Sequence, residues 1–433
     1  MKSLWQEGVR KPCFPALQGD ETTEVLIIGG GIAGILAAYF LQKKGVPYLL
    51  AEKDTICGGT THNTTAKLTF QHGLLYDKLL KSRGAAVARA YLDANRRALE
   101  RYEQLCADIP CDFEKQDNYV YSRHDRRALE AEVCALESIG YAARFCETLA
   151  LPFPTVGAVC FPEQAQFHPL KFLYTIAEKL QIREHTPVRE MIGCTALTPN
   201  GRIRAKKGVV TTHFPFINKH GSYFLKLYQH RSYVLALENV PKIEGMYVDE
   251  QDTGVSFRRY GAYLLLGGGG HRTGKSGGNW EELRSFAAQN YPDAQEKYAW
   301  AAQDCMSLDS VPYIGRYSAG TGELYTASGF NKWGMTGAMV SAMLLCDLLT
   351  GEKNPYEAVF SPSRSMMKPQ LLVNGLEAAK NLLTPSAKRC PHLGCALKWN
   401  KAEHSWDCAC HGSRFAEDGR VLDNPANGDL NLS

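Results

Sequence analysis

Cysteines and histidines are concentrated near the end of the chain, at spacings that could bind a metal. Residues 390–415, CPHLGCALKWNKAEHSWDCACHGSRF, hold four cysteines and three histidines in 26 residues. Thiolates and imidazoles bind zinc or iron-sulfur clusters, and paired thiols form disulfides. The segment therefore indicates a zinc site, a redox cluster or a disulfide knot.

The ligand spacing within this segment separates these possibilities. Cys390 and His392 form CxH, and Cys408 and His411 form CxxH. This resembles the Rieske [2Fe-2S] pattern, in which two thiolates hold one iron and two imidazoles hold the other. The resemblance implies these four residues as cluster ligands.

Further residues belong to the same resemblance. It implies a disulfide between Cys395 and Cys410, and a hydroxyl at Ser413 that bonds a cluster sulfur and tunes the reduction potential. Phe415 departs from the tyrosine often found at that place, so one tuning hydrogen bond is missing.

Zinc is the main alternative for the C-terminal segment. Six candidate ligands are two too many for one tetrahedral zinc, and the one-residue gap in CxH is not the CxxC spacing that zinc knuckles use. A disulfide knot is disfavoured in a cytoplasmic chain. His404 lies between the two ligand pairs and is interpreted as an exposed turn residue. The spacing favours the cluster.

A second motif lies near the start of the chain, in EVLIIGGGIAGILAAYFLQKKGVPYLLAE, residues 24–52. A short apolar run leads into GxGxxG, formed by Gly29, Gly31 and Gly34, and a helical apolar pattern follows. The glycines permit a tight turn and close approach to a pyrophosphate, and Glu52 can bind ribose hydroxyls at the end of a second strand. The motif predicts a dinucleotide site, with a strand over Val25–Ile28 and a helix over Ile32–Lys43.

The residues after Glu52, KDTICGGTTHNTTAKLTFQHG, are rich in glycine and threonine. Here the chain resembles FAD-dependent oxidoreductases of the D-amino-acid oxidase and glycine oxidase class. The resemblance implies FAD and not NAD. The residues implied in FAD binding are Gly29, Gly31, Ile32, Ala33, Gly34, Glu52, Lys53, Gly59, Thr60, Thr61, Thr65, Ala66, Lys67, Val188, Gly334, Met335 and Thr336.

The resemblance covers roughly residues 20–360. It implies a strand near Val188 on the adenine side, a late strand over Glu323–Ala327, and a helix from about Met335. The N-terminus of that last helix could stabilise negative charge on a reduced flavin.

The expected fold class is α/β, with an oxidoreductase over residues 1–365 and a small β-rich Rieske-type module. A Rossmann-like FAD domain is expected over about 20–74, 155–221 and 303–352, and an antiparallel-sheet substrate domain over about 75–154 and 222–302. A linker helix over 366–385, centred on Leu376–Leu383, precedes a truncated Rieske module over 386–433. That module is short for a self-standing core, so we expect it to dock on the oxidoreductase.

One further motif is interpreted as a chance match. Gly269–Ser276, GGHRTGKS, fits GxxxxGK[ST], but a phosphate loop must open directly into a helix, and Gly277, Gly278 and Asn279 intervene. We expect Gly267–Thr273 to be a loop that enters the substrate or flavin cavity.

Composition limits the classes of partner. The formal charge is +4 over 433 residues, without a block of five like charges, so neither nucleic acid nor a membrane is indicated as a partner. The N-terminus lacks an apolar leader region, and ten of the fourteen cysteines are scattered singly. These features predict a cytoplasmic protein that acts on small molecules.

The expected function is an FAD-dependent oxidoreductase of a small amine or amino-acid-like substrate that passes electrons between the flavin, the cluster and an electron-transfer partner. Alternatives are a redox-sensing or electron-carrier flavo-iron-sulfur protein without its own organic substrate, and an ATP-dependent protein that uses Lys275 and Ser276. Arg231, Tyr233 and Lys332 are the catalytic candidates, with Arg231 or Tyr233 as a carboxylate clamp. Further candidates near the flavin are Lys67, His72, His213 and His271.

Overall fold

A computed structural model describes residues 2–218 and 220–431, in which three β-sheets are flanked by helices. The strands are β1 (Glu21–Ile28), β2 (Tyr48–Ala51), β3 (Lys67–Leu68), β4 (Glu114–Ser122), β5 (Arg144–Cys146), β6 (Gly157–Gln166), β7 (Ile182–Arg183), β8 (Glu190–Ile192), β9 (Thr195–Thr198), β10 (Gly201–Val210), β11 (Leu227–Glu238), β12 (Met246–Asp249), β13 (Ser256–Tyr260), β14 (Tyr263–Arg272), β15 (Gln295–Ser307), β16 (Tyr313–Arg316), β17 (Leu324–Ser328), β18 (Leu397–Asn400), β19 (Ser405–Cys408), β20 (Arg414–Ala416) and β21 (Val421–Asp423).

Helices pack against these sheets. They are α1 (Ile32–Lys43), α2 (Tyr76–Arg83), α3 (Ala85–Cys106), α4 (Arg126–Ser138), α5 (Pro169–Ala177), α6 (Tyr223–Lys226), α7 (Asn279–Asn290), α8 (Gly334–Thr350), α9 (Glu357–Phe360) and α10 (Pro369–Leu383).

The first sheet is Rossmann-like and positions the dinucleotide motif. Its order is β16-β17-β10-β1-β2-β7, with parallel pairing from β17 to β7. The end of β1, Val25–Ile28, is buried throughout, as expected for a central parallel strand covered on both faces. The predicted bounds of α1 are confirmed.

The second sheet is mainly antiparallel, in the order β15-β11-β14-β13-β12-β4-β6-β3. Side chains alternate between its two faces. Along β11, Val234 and Ala236 join the core shared with α1 and α8, whereas Tyr233, Leu235 and Leu237 join a separate core with α7. Over residues 233–237 of β11, even-numbered side chains therefore join the core shared with α1 and α8, and odd-numbered side chains join the core with α7.

Two sequence expectations about strands have different outcomes. A strand near Val188 is present, since β8 begins two residues after this buried side chain, although Val188 itself lies outside β8. Strand β6 lies in the segment expected for the FAD domain, but it pairs with β4 in the antiparallel sheet, so that expectation is wrong. A pairing partner far away in sequence decides the placement of β6, and local patterns do not contain it.

The third sheet is the C-terminal meander β18-β19-β20-β21, preceded by α10. This helix begins at Pro369, earlier than the expected core of the linker helix. It buries polar side chains and exposes apolar ones. Its buried side chains include Asn374 and Asn381, whereas Leu376 and Leu383 are exposed. Polar contacts hold it in place, since Asn374 accepts a hydrogen bond from Arg272 and the Asn381 carbonyl accepts one from the Ala396 amide.

Candidate functional site

The glycine turn after β1 is sterically restricted to glycine at two positions. Gly29 has a φ of +110°, which side chains disfavour. A Cβ on Gly34 would lie 2.0 Å from the Gly29 carbonyl oxygen, so α1 could not pack against the turn. The Thr61 hydroxyl accepts a hydrogen bond from the Ile32 amide at 3.1 Å, at the start of α1. Thr61 thus satisfies one amide at the start of α1, and the positive end of the helix dipole faces the cavity that Gly31 and Ile32 line.

Glu52 follows β2 at the same edge of the sheet. Its carboxylate accepts hydrogen bonds from the Gly30 amide at 2.7 Å and from the Asp54 amide at 2.9 Å. Burial raises the pKa of Glu52, while these amides act in the opposite direction. Glu52 therefore also fixes the glycine turn, besides facing the site.

A cavity of about 740 Å³ runs from this turn to the N-terminus of α8, within the size range of cofactor sites. Three of the residues implied in FAD binding, Gly34, Ala66 and Thr336, do not line it. The others all do: Gly29, Gly31, Ile32, Ala33, Glu52, Lys53, Gly59, Thr60, Thr61, Thr65, Lys67, Val188, Gly334 and Met335.

Lys67 is a buried amine in the wall of this cavity. Burial, followed by the nearby charge of Arg258, lowers the pKa of Lys67 to about 7. Arg258 is buried too, and its guanidinium donates hydrogen bonds to the carbonyls of Thr65, Ala66 and Phe167. Arg258 thus holds the threonine-rich segment in place. Nothing in the sequence marks Arg258 for this role, because an arginine in a strand carries no local signal of its distant partners.

His72 and Trp333 lie at the far end of the cavity, beside the first turn of α8. Their rings stack with centroids 4.9 Å apart. The His72 Nε2 atom lies 3.0 Å from the Thr336 hydroxyl, and Nδ1 lies 2.6 Å from the Tyr91 hydroxyl. Burial lowers the pKa of His72 to about 3, so the ring is neutral. Lys332 also lines this end and donates to the Asp252 carbonyl at 3.3 Å.

The predicted metal ligands converge in the C-terminal module. The Cys390 and Cys408 thiols are within hydrogen-bonding reach of each other, and the rings of His392 and His411 have centroids 4.9 Å apart. The Nδ1 atoms of both histidines are buried without a hydrogen-bond partner. Two thiols and two unsatisfied imidazole nitrogens fit the mixed sulfur and nitrogen ligand set of a Rieske cluster.

The surroundings of this ligand set match the sequence expectation. Cys395 and Cys410 form a disulfide with a Cα–Cα distance of 6.6 Å. Ser413 is within hydrogen-bonding reach of the Cys390 thiol, and its hydroxyl accepts a hydrogen bond from the Ala426 amide at 2.9 Å. Phe214 of the oxidoreductase lies edge-on to His411, with centroids 6.3 Å apart.

The cluster loop docks directly against the wall of the large cavity. The Gln303 side-chain amide donates to the Gly412 carbonyl at 2.8 Å, one residue after His411. The Gln303 carbonyl in turn accepts a hydrogen bond from the cavity-lining Thr60 hydroxyl at 3.1 Å. A Cβ on Gly412 would lie 2.3 Å from the Gln229 Cβ, so glycine permits this close contact. The expected docking of the module is confirmed.

Arg231 and Tyr233 both contact the module. Both bind the carboxylate of Glu403 from the β18–β19 hairpin. His271 lies 3.0 Å from the Tyr233 hydroxyl, and Tyr233 also lines the large cavity. Arg231, one of the two residues expected as a carboxylate clamp, is therefore already paired with an acidic side chain of the chain itself.

The GxxxxGK[ST] match is not a phosphate loop. Residues Gly269–Arg272 continue β14, and α7 begins only at Asn279. The backbone of Gly274 packs on Ala409, where an added Cβ would lie 2.5 Å from the amide nitrogen. Lys275 pairs with Glu377 of α10 at 2.6 Å. The segment thus helps to dock the module. Three glycines of β14, namely Gly267, Gly268 and Gly270, line the large cavity.

The fold and these two sites define a flavin-dependent oxidoreductase that carries a Rieske iron-sulfur module. The chain belongs to the DAO family of FAD-dependent oxidoreductases, whose family model matches residues 24–348. The model of the Rieske [2Fe-2S] domain matches residues 366–432. The first part accordingly binds FAD, and the second binds a [2Fe-2S] cluster.

Known proteins resemble the whole chain or its parts. A Bacillus subtilis (strain 168) protein named as a Rieske 2Fe-2S iron-sulfur protein, YhfW, is 33% identical, covering 98% of this chain and 96% of its own. The cytochrome b6-f complex iron-sulfur subunit of Fritillaria agrestis is 50% identical over 44 residues, which are 10% of this chain and 19% of that subunit.

Solved structures share the fold of the larger part. L-proline dehydrogenase from P. horikoshii has a TM-score of 0.67 at 17% identity, covering 80% of this chain and 98% of its own. Glycine oxidase from Geobacillus kaustophilus has a TM-score of 0.67 at 19% identity, and the match covers 80% of this chain and 100% of the oxidase chain. Among the described residues, no helix is long and apolar enough to cross a bilayer.

Proposed function

We propose that this oxidoreductase removes two electrons from a small amine or amino-acid-like substrate and passes them through its own cluster to a separate electron acceptor. The supporting observation is the contact chain from Thr60 through Gln303 to Gly412, which joins the cavity wall to the cluster loop. If the module only stabilised the fold, its cluster loop would not need to contact the wall of the large cavity.

The cluster ligands in this proposal are Cys390, His392, Cys408 and His411. Their support is the convergence of two thiols with two buried, unpartnered Nδ1 atoms. When bound, FAD takes two electrons from a C–H bond beside nitrogen, and a [2Fe-2S] cluster carries one electron at a time. The residues of the chain therefore have to hold both groups close together and limit the access of water to the route between them.

Lys67 is the proposed proton acceptor for the substrate ammonium. A neutral amine on the substrate is needed before its C–H bond can be oxidised to an imine. Lys67 lines the cavity, has no carboxylate partner among the described residues, and has a pKa near 7, so it can exchange a proton at neutral pH. Lys332 is the proposed cation that faces a substrate carboxylate, since it lies at the flavin end of the cavity.

The shape of the cavity favours an enzyme over an electron carrier without its own substrate. A carrier would need only the space of the cofactor, with packed side chains above the flavin. The cavity here is also lined by Gln251, Asp252 and Lys332, which are not among the residues implied in FAD binding. These residues offer polar groups to a second small molecule.

Anaerobic titration tests the proposed function. Glycine, L-proline and related amines are added to the purified holoprotein, while visible absorbance reports the flavin and low-temperature EPR reports the cluster. We expect one amine to bleach the flavin and to generate the reduced-cluster signal in the same titration. A bleached flavin beside a lastingly oxidised cluster would falsify the relay, and absence of bleaching with every amine would argue against an amine substrate.

A further inference from the structure

The C-terminal segment of the Rieske module shares the large cavity with the glycine turn. After β20 the chain passes along the cavity opening, next to the segment of Val188 and Arg189. The residues of this tail that line the cavity are Arg420, Val421, Leu422, Asp423, Asn424, Ala426, Asn427 and Asp429. The wall of the flavin site is therefore built from both parts of the chain.

We propose that residues 420–429, here called the tail segment, form part of the binding site for the adenosine half of FAD, so that FAD and the cluster are bound cooperatively. The tail segment contacts the Val188 and Arg189 carbonyls, and the same stretch of chain is tied to Glu52, since the Thr186 amide donates to the Glu52 carbonyl at 2.8 Å. It contributes carboxylate and amide groups, chemistry that suits ribose hydroxyls and the polar edge of adenine.

Hydrogen bonds hold the tail segment on the oxidoreductase. The Asn427 side-chain amide donates to the Arg189 carbonyl at 2.7 Å, and the Arg189 guanidinium donates back to the Asn427 carbonyl. The Asn424 amide donates to the Phe214 carbonyl at 2.6 Å, and the Gln229 amide donates to the Asn424 carbonyl at 3.3 Å. Removing these contacts would free one wall of the cavity.

A second set of contacts ties the tail segment to the cluster loop. The Ala426 amide donates to the Ser413 hydroxyl at 2.9 Å, and Arg414 donates to the Asp423 carboxylate at 3.0 Å. Ser413 and Arg414 lie two and three residues after His411. A cluster that orders this loop also orders the tail segment, and bound FAD in turn restrains the loop. By linkage, each cofactor must strengthen binding of the other by the same factor.

Two measurements on the full-length protein test the proposal without relying on catalysis. First, FAD affinity is measured by fluorescence titration of FAD-free protein carrying Asn427→Ala, with the exposed Glu417→Gln in the same module as the matched control. We expect about a ten-fold weaker affinity for Asn427→Ala, within the usual range of coupled sites. Equal affinity for Asn427→Ala and the control overturns the shared site.

Second, iron is removed from the native holoprotein with a chelator under reducing conditions, and release of FAD is followed by its fluorescence. The proposal requires that FAD leaves faster from the iron-depleted protein, and that added FAD slows iron loss from flavin-depleted protein. FAD retention that is independent of iron content overturns the coupling. Because neither readout involves substrate or electron flow, failure here leaves the proposed relay untouched, and failure of the relay leaves this result standing.

Discussion

The Glu403 carboxylate lies against the Arg231 guanidinium, with Nε to Oε1 at 2.9 Å. The two side chains are only 9% and 4% exposed, respectively. Arg414 of the module donates to the same carboxylate at 2.8 Å, and the Tyr233 hydroxyl donates to it at 3.0 Å. The Glu403 carboxylate therefore pairs with two buried guanidinium groups and connects the module to β11.

Glu403→Gln should weaken docking of the module. Removing one partner from a buried ion pair typically costs about 3–5 kcal/mol, because the remaining charge stays buried and unpaired. Here that charge is Arg231, since Arg414 keeps Asp407 and Asp423. We expect a lower unfolding temperature and slower reduction of the cluster, with reduction of the flavin by substrate retained. Stopped-flow absorbance and calorimetry measure both, with Glu417→Gln as control. Cluster reduction at the wild-type rate would show that this contact does not support the relay.

Docking through Glu403 should also weaken at low pH. Burial by itself would raise the pKa of Glu403, but the charges of Arg231 and Arg414 outweigh it and hold the pKa below its ordinary value. A carboxyl whose folded-state pKa is lowered stabilises the fold above its unfolded value, about 4.3, and that stability is lost as the pH falls through the folded value. We expect the holoprotein to lose stability below that range. Glu403→Gln should show a shallower acid transition, and an identical acid profile would contradict this assignment.

The rate of flavin reduction should rise with pH through about 7. The pKa of Lys67 is lowered to about 7 by burial and by Arg258, so the neutral, proton-accepting amine gains population above this pH. Lys67→Met should abolish this pH dependence and lower the rate. The comparison is the single-turnover rate of flavin reduction at saturating substrate between pH 6 and 9. A matching profile in the variant would remove Lys67 from this role.

Gly34→Ala should abolish FAD binding. The new Cβ would lie 2.0 Å from the Gly29 carbonyl oxygen, so α1 would have to move away from the turn. Gly375→Ala in α10 is a suitable control, because its Cβ would meet nothing within 4 Å. The ratio of flavin to protein absorbance after purification measures the effect. Full flavin content in Gly34→Ala would mean that the turn tolerates the shift.

His411→Cys should lower the reduction potential of the cluster. An anionic thiolate in place of a neutral imidazole stabilises the oxidised cluster. His404→Ala serves as a control, since His404 is exposed at the hairpin turn. A redox titration followed by EPR compares the two variants with wild type. If His404→Ala shifted the potential and His411→Cys did not, the ligand assignment would be wrong.

Local sequence patterns were sufficient to predict much of the dinucleotide motif. Three glycines at fixed spacing, an apolar run before them and a helical pattern after them are sufficient to place β1, α1 and the turn, since each depends on neighbours in sequence. The C-terminal ligands could be recognised for the same reason, because both pairs sit within short loops. Arg258 and Gln303 could not be found in this way, since their role depends on partners far along the chain.

The sequence by itself determined the two cofactor motifs and the class of protein, because binding a dinucleotide or a cluster imposes residue types at fixed local spacing. Only the tertiary structure decided that Arg231 and Tyr233 of β11 bind Glu403 of the module. It also decided that residues of the segment 420–429 line the cavity. Both outcomes arise from long-range packing, in which the docking of one part on another brings together groups that no local pattern connects.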